Sequence, residues 1–172
     1  VPLRFTFTNP VVEEKHLGDK FCNDVLKLAD NGMNEVIVNS PLLEDYIRTT
    51  YPNYKITSST CKRITDPEKL KEELEKDYSI VVLDYDFNNQ FDILEKLPQK
   101  EKMEILVNAC CDPACPRRTE HYRILGMQQI AVCEHMAKNT NERFNLSDYG
   151  VPDMYCKCAD RTILDAEQLS TY

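Results

Sequence analysis

Short apolar runs alternate with stretches of helical periodicity along the first 108 residues of the chain. The apolar runs are rich in β-branched and aromatic residues, which favour strands. Between them, apolar residues recur three or four positions apart, which predicts amphipathic helices. The predicted strands cover residues 3–8, 35–39, 54–58, 79–84 and 103–108. This alternation predicts an α/β fold with a mainly parallel sheet and right-handed crossovers.

Capping residues mark where two of the predicted helices begin. Ser40 is a natural N-cap, and Pro41 fits the first helical position, where its missing N–H costs nothing. The sequence Thr65-Asp66-Pro67-Glu68 is typical of a capping box, so we expect Thr65 to cap the next helix. Another predicted helix depends on four apolar residues spaced four, four and three apart: Leu17, Phe21, Val25 and Leu28.

After residue 108 the alternation stops. Residues 117–131 can form a helix, residues 138–154 are polar and irregular, and residues 162–172 predict a short helix. A length of 172 residues fits one domain. We therefore divide the chain into β/α units over residues 1–108 and a Cys-rich segment of the same domain over residues 109–172.

Composition excludes several classes of function. A hydrophobic content of 42% and a charged content of 29% are typical of a soluble globular protein. The net charge of −8 argues against a nucleic-acid surface, which needs clustered cations. No apolar stretch approaches the roughly 20 residues of a membrane span, and no signal peptide is apparent, so we expect a cytoplasmic protein. The chain begins at Val1 without Met, which also fits a fragment or a processed product that has lost a targeting segment.

Polar residues follow each predicted strand. Because the carboxyl ends of parallel strands share one edge, these residues predict a common rim that binds a small molecule or a peptide. The alternative is that they only form turns and cap helices. Three interpretations of Arg117 and Arg118 stay open: they hold an anionic substrate, pair with Asp84 and Asp86, or form an exposed pair at the start of a helix. The predicted substrate-binding residues are Asn9, Asn39, Ser59, Asp84, Asn108, Arg117 and His121.

Six of the eight cysteines fall in the last third of the chain: Cys110, Cys111, Cys115, Cys133, Cys156 and Cys158. Thiols gathered where a strand ends predict a metal or iron–sulfur site. Cys111 and Cys115 span a tight turn, and Cys133, Cys156 and Cys158 can supply the other two ligands. Cys110 and Cys111 point to opposite sides of a continued strand, so only one of them is expected to bind.

Zinc and an iron–sulfur cluster both accept four thiolates. The absence of paired CxxC knuckles favours the cluster over zinc. Two alternatives stay open: buried cysteines that pack as small hydrophobic side chains, and disulfides, which are less expected in a chain with regular strand and helix alternation.

The segment EILVNACCDPACPRRTEHYR resembles a segment of the collagenase-like peptidases, family U thirty-two, and of their UbiU and UbiV relatives. In that group a strand ending in an Asn is followed by two Cys, a Pro and a helix that bears an Arg or His. The segments LRFTFTN, EVIVNSPLLEDYIRTTYPNYKITSST and TILDAEQLSTY also resemble parts of the family, in the same order. The resemblance therefore covers nearly the whole chain.

The resemblance implies a TIM-type barrel, of which this chain would hold about five strands and the Cys-rich segment. It also implies a four-iron four-sulfur cluster and, in UbiU-like and UbiV-like proteins, a role in oxygen-independent hydroxylation. Carried over by position, Cys111 and Cys115 match best, then Cys133, and the fourth ligand is either Cys156 or Cys158. The missing barrel strands would come from another protein or from a longer chain.

Three functions follow as hypotheses. The first is a cytoplasmic, bacterial-type barrel protein whose Cys-ligated cluster serves redox or substrate-activation chemistry. The second is a peptidase or other hydrolase of the same family. The third is a non-catalytic binding module that structural zinc stabilises.

Overall fold

The five predicted strands form one parallel sheet. The computed structural model describes residues 1–107, 111–112, 114–138 and 141–152. The strands are β1 (Arg4–Phe7), β2 (Glu35–Val38), β3 (Lys55–Ser58), β4 (Ile80–Val82) and β5 (Met103–Glu104). They lie side by side in chain order, all parallel, with Val36 of β2 opposite Phe5 of β1 and Ile56 of β3. The predicted α/β fold is confirmed.

Helices connect the strands. They are α1 (Lys20–Ala29), α2 (Pro41–Thr50), α3 (Pro67–Glu75), α4 (Phe91–Leu94) and, after β5, α5 (Arg118–Ala137). Short 3₁₀ turns cover Glu14–His16, Thr60–Lys62, Tyr85–Phe87, Lys100–Lys102 and Leu146–Tyr149. Within the described ranges, no helix is long and apolar enough to span a membrane.

The predicted helix starts are confirmed with one correction. Ser40 Oγ accepts a hydrogen bond from Leu43 N, and Pro41 opens α2. At α3 the cap is Asp66 rather than Thr65, because Asp66 Oδ1 accepts from the backbone N–H groups of Glu68 and Lys69. Pro67 then takes the first helical position, where it needs no hydrogen bond.

The main core lies between one face of the sheet and helices α1, α2 and α3. Alternate strand residues such as Val36, Val38 and Val81 meet Leu26, Ile47, Leu70 and Leu74 of the helices. The predicted α1 forms, but its apolar residues do not all face this core. Phe21 is 76% exposed and Leu28 is 88% exposed, whereas Leu26 is buried.

The opposite face of the sheet is concave and partly charged. Arg4 of β1 pairs with Glu35 of β2 and also with Glu104 of β5, at 2.6 Å between Nη1 and Oε2. In a flat sheet β1 and β5 would be about 19 Å apart, at about 4.8 Å per strand. An Arg and a Glu in contact have Cα atoms no more than about 15 Å apart, given bond lengths near 1.5 Å. The sheet therefore curves towards this face, but within the described residues β1 and β5 do not pair and the sheet is not closed.

Helix α5 crosses the carboxyl edge of the sheet. Its first residue, Arg118, pairs with Asp84 after β4, and Gly126 accepts a hydrogen bond from Asn9 after β1. A Cβ on Gly126 would lie 2.7 Å from Asn9 Oδ1, so the helix approaches this edge as closely as only glycine allows. Helix α5 thus runs from the end of β4 to the end of β1.

Candidate functional site

Two aspartates and two arginines form a buried network at the end of β4. Arg118 Nη1 lies 2.9 Å from Asp84 Oδ1, and its Nη2 lies 2.9 Å from Asp86 Oδ1. Arg63 Nη1 lies 2.6 Å from Asp84 Oδ2 and 3.2 Å from Asp86 Oδ2. The side chains of Arg118 and Asp84 are both 0% exposed. Two positive and two negative charges therefore neutralise each other away from water.

The network determines the protonation of its members. Burial opposes ionisation of Asp86, but the N–H of Ala114 and the guanidinium of Arg118 outweigh it and lower the pKa of this carboxyl. Burial likewise opposes the charge on Arg118, and Asp86 and Asp84 outweigh it and raise its pKa. Both shifts favour the charged forms of Asp86 and Arg118.

The same network holds the segment that carries Cys111 and Cys115. Ala114 N donates to Asp86 Oδ1 at 2.6 Å, and Arg118 Nη2 donates to the carbonyl of Asp112. Cys115 N also donates to the Asp112 carbonyl, at 3.3 Å. Ala114 has a φ of +54°, in the left-handed region that non-glycine residues rarely adopt. Both thiols are half-buried, and they lie on either side of this turn.

Two tyrosines lie between the network and the thiols. The Arg118 guanidinium stacks 3.7 Å from the centre of the Tyr85 ring, and Tyr85 Oη lies 3.4 Å from Tyr122 Oη. Burial, followed by a hydrogen bond with the Cys111 side chain, raises the pKa of Tyr85. Burial also raises the pKa of Tyr122, and the hydrogen bond with Tyr85 offsets part of this rise. Cys61 and Cys111 make smaller contributions that raise it, so both belong to the surroundings of Tyr122.

Sequence reasoning missed Cys61 as a member of this edge. It is half-buried in the 3₁₀ turn after β3, and burial raises the pKa of its thiol. Its position could have indicated this, because Cys61 directly follows Ser58-Ser59-Thr60, the polar residues at the end of a predicted strand.

A second charged cluster lies between α2, α3 and the end of β3. The carboxylate of Glu73 accepts from Ser58 Oγ at 2.6 Å, Lys62 Nζ at 2.8 Å and Lys76 Nζ at 2.6 Å. Burial opposes its ionisation, but these donors lower its pKa to about 2. The cluster borders a cavity of about 510 Å³, into which Asn39 and Cys61 also extend. The polar groups of this cluster already form hydrogen bonds with one another, which is typical of a network with a structural role.

Several predicted substrate-binding residues have structural contacts. Asn9 Nδ2 donates to the Gly126 carbonyl at 3.0 Å, so it attaches α5 to the sheet. Asn39 donates to the Thr8 carbonyl, and Ser59 accepts from Cys61 N as a cap. Asp84 caps the following 3₁₀ turn and pairs with Arg118, which confirms the interpretation that this arginine pairs with the acidic rim.

The remaining predicted residues fall in three places. Arg117 is exposed before α5, and His121 is half-buried in its first turn. Asn108, Cys110, Cys156 and Cys158 lie outside the described residues.

Cys133 lies far along α5. It is fifteen positions after Arg118, which is about 22 Å at 1.5 Å per residue. It is near Cys22 of α1, since burial, Asp19 and Cys133 together raise the pKa of Cys22 to about 11. Two thiolates on one zinc are at most about 4.6 Å apart, with Zn–S bonds near 2.3 Å. The structure therefore does not bring Cys133 together with Cys111 and Cys115.

The described ranges contain no group of three or more His, Cys, Asp or Glu side chains arranged to hold a metal ion. Within those ranges Cys111 and Cys115 remain as a pair of predicted ligands on one hydrogen-bonded turn. No family model, curated protein or solved structure matches this chain.

Proposed function

We propose that this protein binds a thiolate-ligated metal centre at the carboxyl edge of its sheet. Cys111 and Cys115 would supply the first two ligands, and Cys156 and Cys158 are the candidates for the others. The centre that we favour is a four-iron four-sulfur cluster with a redox or substrate-activating role, on a sheet that forms part of a TIM-type barrel.

The turn between the two thiols carries this proposal. Its position is set by contacts with a buried network of four charges, through Asp86 and Arg118. Buried ion pairs often add little net stability, and we infer that in this protein the four charges serve to fix the position of the turn. A metal site needs ligands held in this way, with a second layer of hydrogen bonds behind them.

The donor set is consistent with the proposed centre. Half-buried thiols lose part of their hydration, and cluster sites are built from cysteine thiolates. Tyr85 places a hydroxyl group beside Cys111, with Tyr122 Oη behind it at 3.4 Å, and hydrogen bonds to sulfur adjust the properties of a bound centre. The curved sheet with its strands in chain order supports the barrel, since β1 and β5 approach across a concave face.

Metal and sulfide analysis of the full chain, purified without oxygen, tests the proposal. We expect a brown protein with absorbance near 400 nm and about four iron and four sulfide per chain. Cys111→Ser and Cys115→Ser should each lose most of the metal. Cys133→Ser is the matched control and should retain it, because this thiol lies far from the turn.

Other outcomes overturn parts of the proposal separately. One zinc per chain without colour would replace the cluster with a structural zinc site. Unchanged metal in both Cys111→Ser and Cys115→Ser would exclude these ligands. Metal-independent cleavage of a peptide would support the hydrolase alternative instead.

A further inference from the structure

Tyr85 is the side chain that joins the buried charged network to the thiol turn. It is buried in the 3₁₀ turn that follows β4. The guanidinium of Arg118 covers one face of its ring, at 3.7 Å from the ring centre. The same guanidinium donates a hydrogen bond to the carbonyl of Asp112, the residue that follows Cys111. The Tyr85 ring and the thiol turn therefore contact one common group.

The backbone around Tyr85 is fixed by hydrogen bonds that do not involve its side chain. Asp84 Oδ1 accepts from Asp86 N at 2.9 Å, and Phe87 N donates to the Asp84 carbonyl at 3.0 Å. The carboxylates of Asp84 and Asp86 are both paired with Arg118. The direction of the Tyr85 ring is therefore set by this turn and by the stacked guanidinium, and its hydroxyl is not needed to hold it.

The hydroxyl of Tyr85 has two neighbours. Its Oη lies 3.4 Å from Tyr122 Oη, and it also interacts with the side chain of Cys111. A hydroxyl offers one proton to donate and two lone pairs to accept. A Cys111 thiolate is the stronger acceptor because of its charge, so Tyr85 donates to the sulfur and accepts from Tyr122. The two tyrosines then form a chain of hydrogen bonds that ends on this sulfur.

A hydrogen bond to a ligating sulfur changes the reduction potential of a metal centre. Reduction adds negative charge, so a donor at the sulfur stabilises the reduced form more than the oxidised form and raises the potential. The effect is larger away from water, where the electrostatic interaction is screened less. Tyr85 is only 6% exposed, so its hydroxyl is in such an environment.

We propose that Tyr85 is a positioning residue whose hydroxyl donates to the Cys111 sulfur and raises the reduction potential of the metal centre. Tyr122 supports it by donating to the Tyr85 hydroxyl. This inference rests on the proposed metal centre and on its redox role. It gives the buried network a second task besides holding the turn, since Arg118 also positions the ring that carries the donor.

Redox titration of the metal-loaded full chain, followed by its absorbance, tests the role of Tyr85. Tyr85→Phe keeps the ring against Arg118 and removes only the hydroxyl. At a fixed solution potential we expect an about 5- to 10-fold lower ratio of reduced to oxidised centre. For a one-electron couple this is a shift of about 40–60 mV to more negative values. The metal content should stay that of the wild type.

Two further variants make the test specific. Tyr122→Phe removes only the supporting donor, so it should shift the potential in the same direction by less, about 2- to 3-fold in the same ratio. Tyr78→Phe is the matched control, because the buried Tyr78 hydroxyl interacts with Glu44 and Lys62 beside the second charged cluster. Its removal should leave the potential unchanged.

The outcomes separate this inference from the proposed function. A wild-type chain without metal would exclude both, and a chain with zinc alone would exclude the redox role together with the role of Tyr85. A redox-active centre whose potential is the same in Tyr85→Phe, or shifts as much in Tyr78→Phe, would overturn the role of Tyr85 alone. Loss of metal in Tyr85→Phe would also overturn it, because the hydroxyl would then serve to retain the centre.

Discussion

The apolar core and the centre of the carboxyl edge, at Arg118 and Asp84, are both fully buried but consist of opposite chemistry. Ile47 in the core and Arg118 at the edge are both 0% exposed. The core buries apolar side chains, and their contribution to the free energy of unfolding grows with the area that they bury. A core of this kind tolerates substitutions that keep its volume and its apolar pattern. The edge buries four charges whose removal from water is costly, and their pairing mainly fixes positions. This difference indicates that the core stabilises the fold, whereas the edge holds the thiol turn.

Of these variants, Arg118→Ala should have the largest effect on stability, and it tests whether the edge and the core act separately. It leaves the buried carboxylates of Asp84 and Asp86 with Arg63 alone, which should lower the free energy of unfolding by about 3–5 kcal/mol. It also releases the turn, so the metal centre that we propose should no longer bind. Urea unfolding and metal analysis measure both. Arg123→Ala, whose ion pair with Glu120 is exposed, should change stability by less than about 0.5 kcal/mol.

Ile47→Ala should destabilise the core without affecting the edge. Deleting buried methyl groups here should cost about 2–5 kcal/mol. Metal content per folded chain should stay that of the wild type. Loss of metal in this variant would show that the two regions are coupled more tightly than their separate contacts indicate.

Acid should weaken the second charged cluster. The folded pKa of Glu73 is about 2, against 4.5 for an unperturbed Glu, so its ionised form stabilises the fold above pH 4.5. This contribution, about 3 kcal/mol, should be lost as the pH falls from about 4.5 to 2. Unfolding measured across this range should show a smaller pH dependence in Glu73→Gln. An unchanged dependence would exclude Glu73 as its source.

Gly126→Ala should loosen the contact between α5 and β1. The added Cβ would lie 2.7 Å from Asn9 Oδ1 and 3.0 Å from Val11 Cγ2, so either the helix or these side chains must shift. We expect a loss of about 1–3 kcal/mol in urea unfolding. Gly18→Ala is the matched control, since no atom lies within 4 Å of its Cβ position.

Phe21→Gln should have the smallest effect. The Phe21 side chain is mostly exposed on α1, so replacing it should change stability by less than about 0.5 kcal/mol. A cost above 1 kcal/mol would mean that Phe21 has a packing partner that its exposure does not indicate.

Local patterns along the chain predicted the fold well. Each predicted strand overlaps an observed one, because a parallel sheet buries continuous runs of β-branched residues that are easily recognised. The prediction of a helix cap was wrong where two neighbouring residues both favour the capping position. Thr65 fits a capping box, but Pro67 favours Asp66 as the cap by occupying the position after it. The apolar spacing of α1 predicted a helix but not which of its residues, Leu26 or Phe21, faces the core.

The candidate site was harder to predict because it depends on distances between remote segments. The pairing of Arg118 with Asp84 and Asp86 was one of three alternatives that the sequence left open, and the structure shows it. Cys133 follows Cys115 closely in sequence, but a continuous helix carries it away. Cys61 is far from Cys111 in sequence, but the sheet places both near Tyr122. Cysteines that are close in sequence therefore need not be close in the structure when a long helix separates them.

Alkylation of the native protein tests the central claim most directly. The oxygen-free, metal-loaded chain is treated with iodoacetamide before and after a chelator, and each cysteine is quantified by mass spectrometry. Cys111 and Cys115 should be protected until the metal is removed, whereas the exposed Cys133 should react in both states. Equal reaction of Cys111 and Cys115 before and after metal removal would contradict a metal centre at this turn.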